Sequence, residues 1–353
     1  MTRLPWSAAA LVVVASISAE ITPVPGSQNV DAVFGKADLV CNCVVRIIKV
    51  VDEANVERAG KPLITQHLTA TVEILDLYKA ESTNRHIQVE FDRELPSTSA
   101  SLPELRNGER ALMFLKAGLS SYVFADPFLG VIPFEDLPRH RGGAGLTKLQ
   151  AALAAVLQMP NREDRVRAVQ LLEGFDNLGP DATAALLPLS RSTDPELALS
   201  AFGALLKTKG ADEVTLETLT RLKSYLDSYG GGSETTALVN VGSQLRSIDD
   251  PKALRAIEGL ALSRFVVIRR GAMQALRAMK NPDAAPALAT RLDDSDGYVR
   301  YLAVISLAET FGKYDDYAPS MYLFDRNPGF YLGLWKSWWT TEGQAYQSSP
   351  EVK

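Results

Sequence analysis

Two cysteines and three histidines among 353 residues leave little from which to build a metal centre or a disulfide framework. His67, His86 and His140 stand far apart, and no histidine follows His140, so the second half of the chain has no imidazole to offer a metal. Positive charge is not in excess: 37 basic against 42 acidic residues give a net −5, which excludes the basic footprint of a nucleic-acid binder. No apolar run reaches the ~20 residues needed to cross hydrocarbon as a helix, so no stable membrane span is expected. Missing too are GxSxG, HExxH, CxxC, a Walker loop and a GxGxxG that opens a helix. What remains is an ordinary globular composition, 46% hydrophobic and 22% charged, over a length that suggests about two domains.

The chain opens with one positive charge at Arg3, an apolar run from Ala8 to Ile17 broken only by Ser16, and small residues Ser18 and Ala19 before Glu20. A basic start, a short apolar stretch and a small-residue cleavage site describe a secretory signal peptide over 1–19. The expected location is therefore secreted or periplasmic.

From about 25 to 135, short runs of period two are separated by polar, Gly- and Pro-containing stretches, which predicts strands. Leu39, Cys41, Cys43, Val45 and Ile47 share one face of the first run. Leu68–Tyr78 is the second, with an inward phase that switches near Ile74-Leu75 as at a β-bulge. Ile87, Val89 and Phe91 mark a third run, Arg110–Leu115 a fourth and Tyr122–Phe124 a fifth. Five short antiparallel runs fit a small barrel, which also removes exposed edges. Cys41 and Cys43 share a strand face at nearly the limit for bridging, so buried free thiols are expected.

The segments ADLVCNCVV from Ala37, TATVEILDLYKA from Thr69 and NGERALMFL from Asn107 resemble the netrin-like or tissue-inhibitor-like OB barrels of secreted bacterial proteins. Metalloprotease inhibitors with that barrel carry a Cys-x-Cys at the mature N-terminus. Here Cys41-Asn42-Cys43 lies about twenty residues inside the predicted mature start, so that mode of inhibition is not expected.

Past Arg139-His140-Arg141-Gly142-Gly143 the period changes from two to about 3.6, and Pro and Gly fall between amphipathic stretches. A shift of 31 residues aligns Leu245, Leu276 and Leu307; Pro251 with Pro282; Ile268-Arg269 with Val299-Arg300; and Ala272 with Ala303. A repeat of that length holds two helices. Asn281–Gly312 resembles HEAT repeats of the phycobilisome-lyase-like kind, with Pro opening a helix, an acidic turn and then Val-Arg-x-x-Ala. Looser copies appear at Asp164–Phe175 and Thr193–Gly210. Arg269 and Arg300, each opening a second helix, face acidic turns containing Asp293, Asp294 and Asp296; a partly solvated, structural ladder of modest strength is expected from them. Asp294-Ser-Asp296-Gly297 lacks the closing Glu of a calcium loop, and Gly230-Gly-Gly232 lacks the Lys-Ser/Thr of a phosphate loop; both read as connectors. Asp249-Asp250 and Asp315-Asp316 read as caps.

Ten aromatic residues lie from Tyr314 to Tyr346, and Tyr331, Trp335, Trp338 and Trp339 recur at helical spacing. Such a face either covers the open end of a repeat stack or supplies a contact surface.

These readings predict an α+β multidomain chain: a signal peptide (1–19), a small antiparallel OB-like β-barrel (27–138), an all-α HEAT-like solenoid (145–315) and an aromatic capping helix region (316–345). No catalytic, cofactor-binding or metal-binding residue is assigned. The expected function is non-enzymatic protein–protein interaction, as a scaffold protein of the cell envelope that presents its helical array to a protein partner. The alternative is a carbohydrate- or envelope-binding module in which Tyr331, Trp335, Trp338 and Trp339 contact a glycan.

Overall fold

The computed structural model describes residues 29–346, apart from 59–60, 81–83, 96–104, 141, 208–212, 232–234 and 315–316. The signal peptide, Gly232 and the Asp315-Asp316 pair lie outside the described residues.

A helix that periodicity did not reveal, α1 (Val30–Lys36), comes first; the Asn29 side chain caps it by accepting from the Ala32 amide at 2.8 Å. Six strands follow: β1 (Leu39–Arg58), β2 (Lys61–Lys79), β3 (His86–Leu95), β4 (Arg110–Ala117), β5 (Tyr122–Phe124) and β6 (Val131–Pro133). Antiparallel pairs link β1 to β2, β2 to β3, β5 to β4 and β4 back to β1, while β3 and β5 run parallel. The circuit closes unevenly, since only Val89–Tyr122 and Glu90–Val123 join β3 to β5. Between Asn42–Asp76 and Cys43–Ile74 the register slips by one residue, leaving Leu75 unopposed at the position where the inward phase of β2 changes.

One face of the sheet encloses Leu39, Cys41, Cys43, Val45, Val72 and Met113. Both thiols are free and buried, and the Cys43 Sγ donates to the Ala111 carbonyl at 3.2 Å. Ile47, expected on the same face, is 49% exposed. The ladder between β1 and β4 ends at Val44–Arg110, and beyond it the β1–β2 hairpin leaves the core as an arm that also exposes Val50, Val51 and Val56.

The other face of the sheet is apolar at the start of β1 and along β4 and β6, and there it is covered by helices. Val40, Leu112, Phe114, Ile132 and Phe134 join α1 and the first four array helices in one core. These helices are α2 (Gly145–Val156), α3 (Arg162–Glu173), α4 (Pro180–Leu189) and α5 (Pro195–Leu205). Polar bonds pin the junction. Buried Asp164 accepts the Glu135 and Asp136 amides at 3.1 and 3.0 Å, Asn42 Nδ2 donates to the Leu137 carbonyl at 2.7 Å, and Lys148 pairs with Asp76 at 2.5 Å. The change of period near 139–145 is thus a change of secondary structure within a shared core.

The array continues through α6 (Glu213–Ser228), α7 (Thr236–Leu245), α8 (Leu254–Leu260), α9 (Val266–Met279), α10 (Ala285–Thr290) and α11 (Gly297–Phe311). Pro251 and Pro282 each open a 3₁₀ turn that leads into α8 or α10, where a missing amide costs nothing. Second helices stack directly, α3 on α5, α5 on α7, α7 on α9 and α9 on α11, more extensively than the first helices meet. They form the inner layer. The tightest approach is between α7 and α9: a Cβ on Gly271 would collide with the Gly242 carbonyl, and one on Gly242 would stand 2.5 Å from the Val267 carbonyl.

Inner helices begin at Arg162, Pro195, Thr236, Val266 and Gly297, so successive intervals are 33, 41, 30 and 31 residues. The last two carry the repeat seen in the sequence. At that interval Arg269 donates to the Ser263 and Arg264 carbonyls at 3.0 and 3.1 Å, and Arg300 to the Asp294 and Ser295 carbonyls at 2.7 and 3.2 Å. Arg269 also forms a bidentate pair with Asp294 of the next unit, both bonds 2.9 Å. This corrects the expected solvated ladder, because the two side chains are only 8% and 3% exposed. Among the described residues Arg300 has no such acidic partner from a following unit. Asp293 leaves the ladder altogether and pairs with Lys336 in the C-terminal cap. Solvated rungs do occur at Arg270–Asp296 and Arg277–Glu309.

Removing one partner of the buried rung strands the other as an uncompensated charge. Asp294→Ala is expected to lower unfolding free energy in urea by about 3–5 kcal/mol. Arg269→Met combined with Asp294→Leu should recover only part of that loss, because Arg291 and the Asp296 amide also bond Asp294.

Candidate functional site: a cleft on the inner helical layer

The C-terminal aromatics form a cap made of α12 (Met321–Arg326) and α13 (Pro328–Thr341). Trp335 is fully buried and donates from Nε1 to the Tyr317 carbonyl at 2.9 Å. Trp338, also buried, lies 4.7 Å from Phe311 between ring centroids. Tyr331 and Trp339 are half-buried against the same core. Of the two readings of this face, cover or contact surface, the burial of Trp335 and Trp338 supports the cover: they close the open end of α11, where water would otherwise meet apolar side chains, and so are not free as partner contacts. Exposed aromatics of the cap are instead Tyr322 and Phe330, off the stripe that the helical spacing singled out.

A different place in the array has the form of a site. At the 41-residue interval the inner layer opens into a cavity of about 490 Å³, bounded by α3, α5, the end of α6 and the start of α7. Its rim carries Arg162, Asp194 and Glu196. Arg162 is already committed, donating to Asp194 at 2.5 and 3.2 Å and to Glu196 at 3.0 Å. Asp194 also caps α5, accepting from the Glu196 and Leu197 amides at 3.0 and 3.4 Å. Burial opposes ionisation of Asp194, but Arg162 and these amides outweigh it and hold the carboxyl below its usual range. Thr235 closes the start of α7 in the same way, accepting from the Leu238 amide.

Deeper in the cavity wall are Gln170, Glu173, Ser200 and Asn240. Glu173 has no exposed surface. Its Oε2 accepts a long bond from Asn240 Nδ2 at 3.4 Å, while Oε1 has no partner among the described residues; neither has the Gln170 Oε1. Burial pushes the Glu173 carboxyl up to about 7, against the smaller opposing pulls of Asn240 and Lys207. Room for it comes from Gly203 within α5, where a Cβ would stand 2.5 Å from Oε1. A glycine inside a helix costs about 1 kcal/mol relative to alanine, and here it admits a carboxylate.

Sequence reading passed over this group, although Val166, Val169 and Glu173 recur at i, i+3 and i+7 along one buried stripe. An acid on an apolar stripe, opposite a mid-helix glycine, is the signal that could have found it. Among the described residues no cluster of three His, Cys, Asp or Glu could hold a metal ion.

Residues 236–308 match the HEAT repeats family. No curated protein matches the chain. Two engineered proteins solved by the Northeast Structural Genomics Consortium are similar to it at 19% identity each. One match covers 56% of this chain and 92% of the engineered protein with a TM-score of 0.37. The other covers 56% of this chain with a TM-score of 0.36, and the chain spans just over half (55%) of that protein's length. The helical portion is a HEAT-like repeat region that follows an antiparallel-rich sheet.

Two tests follow from this geometry. Trp335→Ala should destabilise by about 3–5 kcal/mol in chemical denaturation, and Trp339→Ala by clearly less. For Glu173, the folded chain binds the proton more tightly than the unfolded chain. Raising the pH from about 4.5 through 7 therefore withdraws stability, amounting to about 3 kcal/mol once the group is fully ionised. Glu173→Gln is expected to melt higher than the parent at pH 8, with the difference vanishing toward pH 5.

Proposed function

We propose that this chain is a non-catalytic interaction module of the cell envelope, docking a protein partner along its inner helical layer. HEAT repeats commonly mediate protein–protein interaction, and the layer here is continuous from α3 to α11. The observation that carries the reading is the cleft between α3, α5 and α7, where a buried acid and two unmet acceptors lie beneath a polar rim.

In this reading residues 1–19 direct export, and segments 27–138, 145–315 and 316–345 serve as barrel, array and cap. The strand circuit β1-β2-β3-β5-β4 supports an OB-like barrel, and the Val299-Arg300 helix start supports the phycobilisome-lyase-like subtype of repeat. Glycan binding through the tail aromatics is the alternative reading, with Tyr331 and Trp339 half-buried and Trp335 and Trp338 inside the cap.

A photo-crosslinking residue placed at Thr236, or at Pro195, both exposed on the cleft rim, is expected to capture one and the same protein in the cells that make this chain. The same probe at exposed Ser224 of α6 should not. Equal capture from all three positions, or none from the rim, would overturn the docking face.

A further inference from the structure

We propose that the cavity between α3, α5 and α7 is a pocket for one cationic side chain of the partner, a guanidinium or ammonium, with Glu173 as its counter-ion. This rests on the inner layer being the docking face, and it names the chemistry which that face selects.

The argument begins with what the pocket needs. Glu173 Oε1 and Gln170 Oε1 are buried acceptors without donors, on one face of α3 at a spacing of three residues. A buried acceptor left unmet costs about 1–3 kcal/mol, more when it is charged. An occupant supplying several N–H groups would meet both at once. Arginine offers five donors in a planar fork and lysine three, and neither adds an acceptor that would compete.

Charge selects in the same direction. Three carboxylates, Glu173, Asp194 and Glu196, line the cavity against one guanidinium, Arg162. That guanidinium is bonded to Asp194 and Glu196, so Glu173 takes nothing from it. The other cation acting on Glu173 is Lys207 on the segment after α5, whose Nζ donates to the Phe175 carbonyl at 3.3 Å. An anion would find no such welcome. The starts of α5 and α7 open here, but Asp194 takes the Glu196 and Leu197 amides of the one and Thr235 the Leu238 amide of the other. Tyr229 on the wall adds an aromatic ring of the kind over which a guanidinium packs.

Size fits a side chain rather than a metal ion, because a cavity of about 490 Å³ lies in the range of small organic ligand sites. Gly203 completes the case for a built pocket. Alanine there would press on Oε1 itself, so the array gives up a better helix former to keep this carboxylate in place.

The test uses the full chain at pH 8, where Glu173 is ionised, and titration calorimetry. The probes are N-acetyl-arginine methylamide and N-acetyl-lysine methylamide. Their uncharged counterparts from citrulline and norleucine serve as controls, with inorganic phosphate as the anionic arm and cadaverine as a free amine. At least one blocked basic residue should bind saturably. Citrulline, norleucine and phosphate should not. Glu173→Gln should weaken binding about tenfold or more, the scale of one charge-assisted hydrogen bond. Unfolding would not explain that loss, since this variant is expected to be the more stable protein at pH 8. Equal binding of a neutral analogue, binding of phosphate alone, undiminished binding by Glu173→Gln, or no binding at all would overturn the pocket. Cadaverine binding in place of both blocked residues would assign the cavity to a free amine and overturn the side-chain occupant. Failure of the docking face is distinguishable: crosslinks from Thr236 would be lost while the blocked residues still bound. Conversely, crosslinks that persist without any cation binding would sink the pocket alone.

Discussion

A helical hairpin in a stack has two greasy sides and can hide only one against each neighbour. Everything else in this chain answers that constraint at the two ends of the stack. At the N-terminal end the cover is a β-sheet, whose outer face offers Val40, Leu112, Phe114 and Ile132 to α2 and its neighbours. At the other end it is α13, which lays Trp335 and Trp338 over α11. The sheet is therefore not an appendage to the repeats. Where β1 begins and along β4 and β6 it is apolar on both faces, because there each face closes a core, one its own and one belonging to the helices.

Two of the buried carboxylates in the array, Asp294 and Glu173, are treated in opposite ways, and the repeat interval differs where they lie. Where successive inner helices start 31 residues apart, Arg269 meets Asp294 of the next unit and both charges are satisfied away from water. Where the interval stretches to 41, the units stand apart at one side, and Glu173 faces a cavity instead of an arginine. The regular part of the stack fixes register. The irregular part leaves a buried, unmet carboxylate in the wall of a cavity, which is where recognition has something to gain.

Periodicity made the array legible because a repeat copies its core residues along with its backbone. Pro251 and Pro282, Ala272 and Ala303, and Arg269 and Arg300 each recur in equivalent geometry. The strands showed through alternation, and even the bulge opposite Asn42 and Cys43 left its mark as a broken phase in β2. Not everything was legible: β6, at three residues, is too short to show alternation. Helix α1 is two turns long, too short to establish a period. Ile47 keeps the alternation of β1 but sits beyond the last β4 partner, so pattern and burial part company there. The cleft escaped notice because it arises from an interval between helices rather than from any local motif, and its one local sign, an acid on an apolar stripe, departs from the pattern by which helices are found.

The arm that β1 and β2 send past the barrel presents a long ribbon edge, and an unguarded edge is a template for other chains. Its sequence from Lys49 to Glu57 interleaves Lys49, Asp52, Glu53 and Glu57 with the exposed valines. Hydrated charges along that edge make zippering with a second copy electrostatically and sterically unrewarding. An all-valine ribbon in the same place would lack that guard.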